Sequence, residues 1–415
     1  MQTTSDFAGQ QSPKLTGKHL EFDNDAKARQ AIKRDMPYWP YWLIRGKLYD
    51  LQPWLEKHPG GAEFLLRCKG TDCTAAFEVH HLRMPKAEAM LKCFEVQTET
   101  SIKASDLPQF DWHKYGELRT RIAARLKNAG WYPGPNKQSV AVAVLAVIVN
   151  LTIPFVWSVA GYWCLLLALA YAMNMIILTG FGHMFLHMNT RLEHLGDLGG
   201  FSSYNWKSEH CLKHHIFTNH PDLDPDVTKF SPALHFTPGM HKKWQVVAPL
   251  YLFPLYAISF MLIRLMRPIE IHKDPTNWLS RTLWYVVGSF GWLALWYATG
   301  NFWVGLALEC LASFFFLSLT LSNHNHKSCY FTHQSQDFVK HQMDACYDFG
   351  SINYWYSMIS SAFLGSQTLH HLFPTLDPRY FYIVKEELEN IGYPYRRRPF
   401  WQTYWDHIRF ISGKA

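Results

Sequence analysis

The sequence predicts a small soluble α+β head fused to an all-α membrane domain. Three observations carry the prediction. Apolar runs of about 20 residues, the length a helix needs to cross a bilayer core, occur only after residue 137. A compact, more polar segment precedes them, from Met36 to Thr100. Histidines, 22 in 415 residues, crowd into short segments at the ends of apolar runs, which places candidate metal ligands at a membrane surface.

A chain that is 48% hydrophobic and 16% aromatic at this length is too large and too apolar for one ordinary soluble domain. The net charge of +7 is modest, and no Lys/Arg block is long enough to suggest a nucleic-acid partner. A basic excess suits loops that face anionic membrane lipid. The eight cysteines are scattered, with no Cys-x-x-Cys pair, as expected of a protein facing a reducing compartment.

Residues 1–35 form a polar tail that is expected to be disordered. It has no apolar core of the kind a signal peptide carries, so membrane targeting is assigned to internal helices. Residues 36–100 form the head. Residues 101–137 form a basic connector with Arg119, Arg121, Arg125 and Lys127, ending at a Pro133-Gly-Pro135 break. Residues 138–415 form the membrane domain. Its expected spans are 138–159, 161–181, 282–299 and 302–322, joined as two hairpins by short turns near Ala160-Gly161 and at Ala298–Asn301. The charged ends, including Arg396–Arg398, then face the cytosol together with both termini. A fifth apolar stretch, 245–266, contains Pro249 and Pro254 and is flanked by Lys242-Lys243 and by Arg264 and Arg267. It is expected to lie in the membrane interface, because another crossing would put His215 and His324 on opposite sides.

The histidine pattern sets the chemistry. His183 and His187 are spaced i, i+4 and share a helix face. His210 and His214 repeat that spacing, with His215 adjacent, and Gln367, His370 and His371 form a third set. Asn323-His324 follows the last span. Eight imidazoles exceed what one zinc or copper needs, so two metal ions with about four nitrogens each are expected. Gln367 and Asn323 are expected as weaker or water-mediated contacts. Asp224 and Asp226 are expected to accept imidazole N–H groups rather than ligate. His326 is the alternative to His324, His194 and His220 are expected near the site but not on the metals, and the remaining histidines are read as packing or solvent residues.

In the head, the run Tyr49-Asp-Leu, Trp54-Leu, His58-Pro-Gly-Gly61, Gly70-Thr-Asp72, Phe77-Glu-Val-His80-His81 resembles the cytochrome b5 domain. The resemblance implies a haem b gripped axially by two imidazoles with no open position, a site for electron transfer. His58 is the first ligand by motif. The second is His81 or His80, and the spacing from Phe77 favours His81. Gly60 and Gly61 permit the sharp turn beside His58.

The histidine segments His183-x-x-x-His187, His210-x-x-x-His214-His215 and Gln367-x-x-His370-His371-Leu-Phe-Pro, with Thr218-Asn219 and Asp224-Pro-Asp226, resemble the membrane fatty acid desaturases, specifically the front-end group with a fused cytochrome b5. The resemblance covers roughly residues 38–390. It implies two iron ions on those histidines, O2 as oxidant, a fatty acyl substrate as acyl-CoA or acyl-lipid, NADH-cytochrome b5 reductase as electron source, and the endoplasmic reticulum membrane. It also implies a narrow apolar tunnel for the chain, which the aromatic residues of the spans are placed to line. Two departures bear on regiochemistry. Met184 and Leu186 replace the usual Asp and Gly of the first segment, and the second has three rather than two residues between its histidines. Hydroxylation by the same centre, or a non-catalytic electron carrier, are the alternatives.

Overall fold

The computed structural model describes residues 37–98, 101–160, 163–272, 278–329 and 335–414. The expected disordered tail, His19 and His333 lie outside the described residues. The chain divides into two compact units, residues 1–112 and 113–415.

In the first unit, strands β1 (Trp42–Ile44) and β2 (Lys47–Tyr49) pair antiparallel, with Trp42 opposite Tyr49. Their turn, Arg45-Gly46, has both residues at positive φ, the two-residue hairpin geometry that matches strand twist. Three helices follow: α1 (Ala62–Cys68), α2 (Thr74–His80) and α3 (Met84–Leu91). Trp42, Ile44, Leu51, Leu55, Phe77 and Phe94 close one core between hairpin and helices. The Trp42 indole donates to the Leu65 carbonyl at 2.6 Å, which satisfies its buried N–H.

The second unit begins with α4 (His113–Asn128), inside the segment read as a connector. Its apolar face is fully buried, and the Tyr115 hydroxyl donates to the Leu372 carbonyl at 2.7 Å. The long helices are α5 (Lys137–Trp157), α6 (Cys164–His187), α7 (Ala248–His272), α8 (Trp278–Ala298) and α9 (Phe302–His324). Asn136 and Ser139, at the start of α5, bond Asp377 and Tyr354, while α6 and α9 end in His187 and His324. The turns at the other end meet through Asn301 Nδ2 and Ser158 Oγ, 2.9 Å apart. Gly305 packs so closely on Trp296 that a Cβ there would sit 2.3 Å from the indole. Large apolar side chains such as Leu145, Leu165 and Trp303 remain exposed on the flanks of the helices, as lipid contact requires.

Among the described residues, four helical runs are long and apolar enough to cross a membrane by length and composition: Lys137–Trp157, Cys164–His187, Lys243–Ile271 and Phe302–His324. Two expectations bear on this. The stretch 245–266, expected in the interface, lies within the run Lys243–Ile271, whose length and composition also allow a crossing. Arg264, read as a flanking charge, is fully buried against Glu309 of α9, and Pro254 lies inside the helix. Conversely α8, counted as a span, is outside this group, because its tryptophans, tyrosines and Arg281 lower its mean hydropathy.

The segments that follow α6 and α9 build a cap. It includes α10 (Phe338–Ala345), α11 (Tyr354–Ser361), α12 (Gln367–Leu372), α13 (Phe381–Asn390) and α14 (Phe400–Ile411). Strands β3 (Asp348–Phe349) and β4 (Arg397–Arg398) pair in parallel beside them. α14 is amphipathic: Thr403, His407 and Phe410 face inward, whereas Trp401 and Trp405 are exposed.

Candidate metal centre

The last turns of α6 carry His183 and His187 with ring centres 5.1 Å apart, as the i, i+4 spacing predicts. The second segment departs from expectation. Lys207–His214 is a π-helix, closed by the His215 N–H on the His210 carbonyl at 3.0 Å. Its wider turn sets His210 beside His215, five residues on, while the His210 and His214 rings still stack 5.2 Å apart. Motif spacing alone does not distinguish this turn from an α-helix.

The eight expected imidazoles converge into groups of five and three, bridged by a third group of His210, His214 and Asp226. His183, His187, His210, His215 and His370 form one cluster, and His214, His324 and His371 the other. In the first, the His183 Nε2 lies 2.6 Å from that of His210 and 3.0 Å from that of His370, and the His215 and His210 Nε2 atoms are 2.9 Å apart. Ring nitrogens crowd in this way around a shared cation, whose bonds to imidazole are about 2.0–2.1 Å. The clusters adjoin, with the His215 and His371 rings stacked 4.1 Å apart.

The opposite ring edges are tied back. His214 Nδ1 donates to both Asp224 oxygens at 3.0 Å, and that carboxylate also accepts the Asn219 and Asp226 amides. His324 Nδ1 faces the Ala345 carbonyl at 3.3 Å. His371 Nδ1 is shared between Thr218 Oγ1 at 3.0 Å and Gln342 Oε1 at 3.1 Å, while its Nε2 is buried without a partner. A ring that donates from Nδ1 presents the Nε2 lone pair to a metal. Burial, and then the neighbouring imidazoles, hold His210, His215, His370 and His371 well below the ordinary histidine range, which keeps them neutral. Burial opposes protonation of His214 too, but Asp224 and Asp226 reverse the balance and raise it. The donor set and tautomers suit a pair of imidazole-seeking transition metals.

Gln367 lines the same cavity and bonds the Leu364 carbonyl, and Asn323 donates to that carbonyl at 2.6 Å. Asp226 lies within metal-binding reach of His210 and His214, and pairs with Lys229 at 3.2 Å. His326 is elsewhere, against Cys329 and Arg398. His194 pairs with Asp197 and Ser203, outside both clusters. A cavity of about 60 Å³ opens beside the clusters; His183, His210, His214 and His324 line one side, and Phe201, Trp206, Phe230, Phe316, Leu317 and Leu321 the other. Sequence reasoning missed Asp348, whose carboxylate accepts the Thr368 amide at 2.7 Å and so anchors the start of α12. It also missed α10, which carries Gln342 and Ala345 and bears no motif.

In the first unit, the His58 and His81 rings face each other 6.0 Å apart between centres. Two axial metal–nitrogen bonds of about 2 Å each, with the ring radii added, fill about that span. His58 Nδ1 is held by the Gly61 carbonyl at 3.1 Å and His81 Nδ1 by the Phe77 carbonyl at 2.8 Å. A Cβ on Gly60 would meet the His58 ring at 2.8 Å, and Gly61 has φ +85, so both glycines shape the turn that holds His58. His80 turns aside onto Phe64, with its Nε2 buried.

The chain belongs to the fatty acid desaturase family, whose profile matches residues 155–404, and carries a cytochrome b5-like haem/steroid-binding domain over residues 29–98. It is thus a membrane enzyme with a fused haem-binding domain. It is 26% identical to the cytochrome b5-related protein of Drosophila melanogaster, over 81% of this chain and 78% of that one. It is 26% identical to an acyl-lipid (7-3)-desaturase of Diacronema lutheri, over 86% of each chain, and 24% identical to the Delta(5) fatty acid desaturase A of Dictyostelium discoideum, over 98% and 96%. No solved structure matches the chain.

Proposed function

We propose that this protein introduces a double bond into a fatty acyl chain at a di-iron centre held by His183, His187, His210, His214, His215, His324, His370 and His371. The observation that carries the reading is the convergence of all eight on two adjoining points beside one largely apolar cavity. Iron bound there would supply O2 activation and removal of hydrogen from an unactivated methylene. Overall, CH2–CH2 plus O2, two electrons and two protons gives CH=CH and two water molecules.

The protein's part is placement. Phe201, Trp206, Phe230, Phe316, Leu317 and Leu321 offer a water-excluding wall for a methylene chain, and chemically equivalent methylenes are told apart only by position. Asp226 and Lys229, paired at 3.2 Å and partly exposed, are charged groups in the lining of the same cavity. The two electrons arrive singly through a haem b ligated by His58 and His81, with NADH-cytochrome b5 reductase as their source. The acyl carrier is a CoA or a membrane lipid, and the protein resides in the endoplasmic reticulum with both termini in the cytosol. The names of the desaturase relatives, which act on acyl lipids, support this substrate class.

The test is lipid analysis of cells that express the full chain against cells that express a His370→Ala form. A new acyl species lacking two hydrogens, present only with the unaltered chain, is expected. A species gaining one oxygen would identify hydroxylation, and identical lipids from both would overturn catalysis.

A further inference from the structure

We propose that Gln342, on a helix without any histidine motif, is the positioning residue that holds the three-histidine cluster in register with the five-histidine cluster. The proposal rests on the two-metal reading above. Gln342 is fully buried between the clusters. Its Nε2 donates to the His215 carbonyl at 2.9 Å, in the five-histidine group, and its Oε1 accepts from His371 Nδ1 at 3.1 Å, in the three-histidine group. A side-chain amide donates and accepts at once from one planar head. Glutamate would lose the donor, and a hydrophobe would lose both.

The surroundings make this tie rigid. Thr218 Oγ1 lies 3.0 Å from both Gln342 Oε1 and His371 Nδ1 and donates to the His214 carbonyl at 2.6 Å, so the network also reaches the third segment's neighbour in the second. The same helix meets the remaining histidine: the Ala345 carbonyl, in its last turn, faces His324 Nδ1 and accepts from Asn219 Nδ2 at 3.1 Å. α10 is itself anchored at its start, where Asp337 accepts the Val339 and Lys340 amides and the Tyr393 hydroxyl. α10 thus contacts the metal-distant edges of two of the three histidines in the smaller cluster. With fewer imidazoles to define its geometry, that cluster depends more on outer hydrogen bonds, whose loss typically weakens metal binding about 10–100-fold.

The experiment uses the full-length chain in detergent, stripped of metal at the histidine clusters, loaded with Zn2+ and desalted. Zinc per chain and its release to a chelator are measured, with the haem spectrum as an independent check of folding. Wild type is expected to hold two zinc ions. Gln342→Met, close in shape but without an acceptor, is expected to hold one tightly and to release the other about 10–100-fold faster. Gln342→Glu, which restores the acceptor for His371 but not the donor to the His215 carbonyl, is expected to release zinc at a rate between those of wild type and Gln342→Met; release as fast as from Gln342→Met would show that the His371 contact does not hold the cluster. Two zinc ions in Gln342→Met with wild-type release overturn the proposal. Wild type holding fewer than two overturns the two-metal reading instead. If Gln342→Met does not fold, Thr218→Val decides: its removal of the shared partner of His371 should speed release of one zinc only, and unchanged release overturns the proposal.

Discussion

Removing Arg264 should cost more than removing Arg264 and Glu309 together. Both side chains are fully buried among the apolar helices, joined by a direct ion pair. The Arg264 guanidinium also donates to the Leu198 carbonyl and lies 5.1 Å from the Trp292 ring centre. Arg264→Met strands a carboxylate in a dry interior and unpairs the Leu198 carbonyl, together a cost of about 3–5 kcal/mol. In Arg264→Met/Glu309→Leu that charge is gone, and the chief remaining loss is the unpaired Leu198 carbonyl, at about 1–3 kcal/mol. The second substitution should therefore return roughly 2 kcal/mol. At roughly 2–4 °C per kcal/mol, the single variant should lose about 6–20 °C of apparent midpoint and the double variant distinctly less. Retention of monodisperse protein on size exclusion after heating measures this in detergent. A double variant no more stable than the single one would refute the reasoning, because it would show that the pair is not energetically coupled.

His58→Ala and His81→Ala should each abolish the six-coordinate haem spectrum while His80→Ala keeps it, since only His81 faces His58; absorption spectra of the three variants decide. Gly60→Ala should weaken haem retention, measured by transfer to apomyoglobin, because its Cβ would displace the His58 ring. Asp224→Asn should lower metal affinity about 10–100-fold, read as chelator-dependent zinc loss; unchanged affinity would remove Asp224 from the support of His214. Burial pushes Asp348 up to about 6 from 3.8. Its contribution to stability is thus fully present below about pH 4 and lost as pH rises through about 6, and a thermal-midpoint profile should flatten over that window in Asp348→Asn. A glycosylation tag inserted beside Lys327 should remain unmodified if the histidine cap faces the cytosol; modification would place that loop in the lumen.

The candidate ligand histidines were legible because they stand in short segments at the ends of apolar runs, and His183 and His187 kept the spacing of an ordinary helix. The second segment was legible as a site but not as a geometry. Whether His210 joins His214 or His215 depends on one extra residue in a turn, a choice made by the packing around Lys207–His214. Gln342 and Asp348 left no signal. A single buried amide or carboxylate in a helix or short strand looks like any other until the fold brings a histidine segment against it.

By itself the sequence determined the two-part plan, the haem motif, the eight imidazoles and the apolar helices, because each is written in local spacing or in composition over one segment. Only the tertiary structure decided the five-and-three partition, the burial of Arg264 on Glu309 and the role of α10. Those depend on contacts between residues far apart in the chain, such as Gln342 with His215 across 127 positions. Local periodicity carries no information about which distant carbonyl or carboxylate will satisfy a buried polar group; packing of the whole unit supplies it.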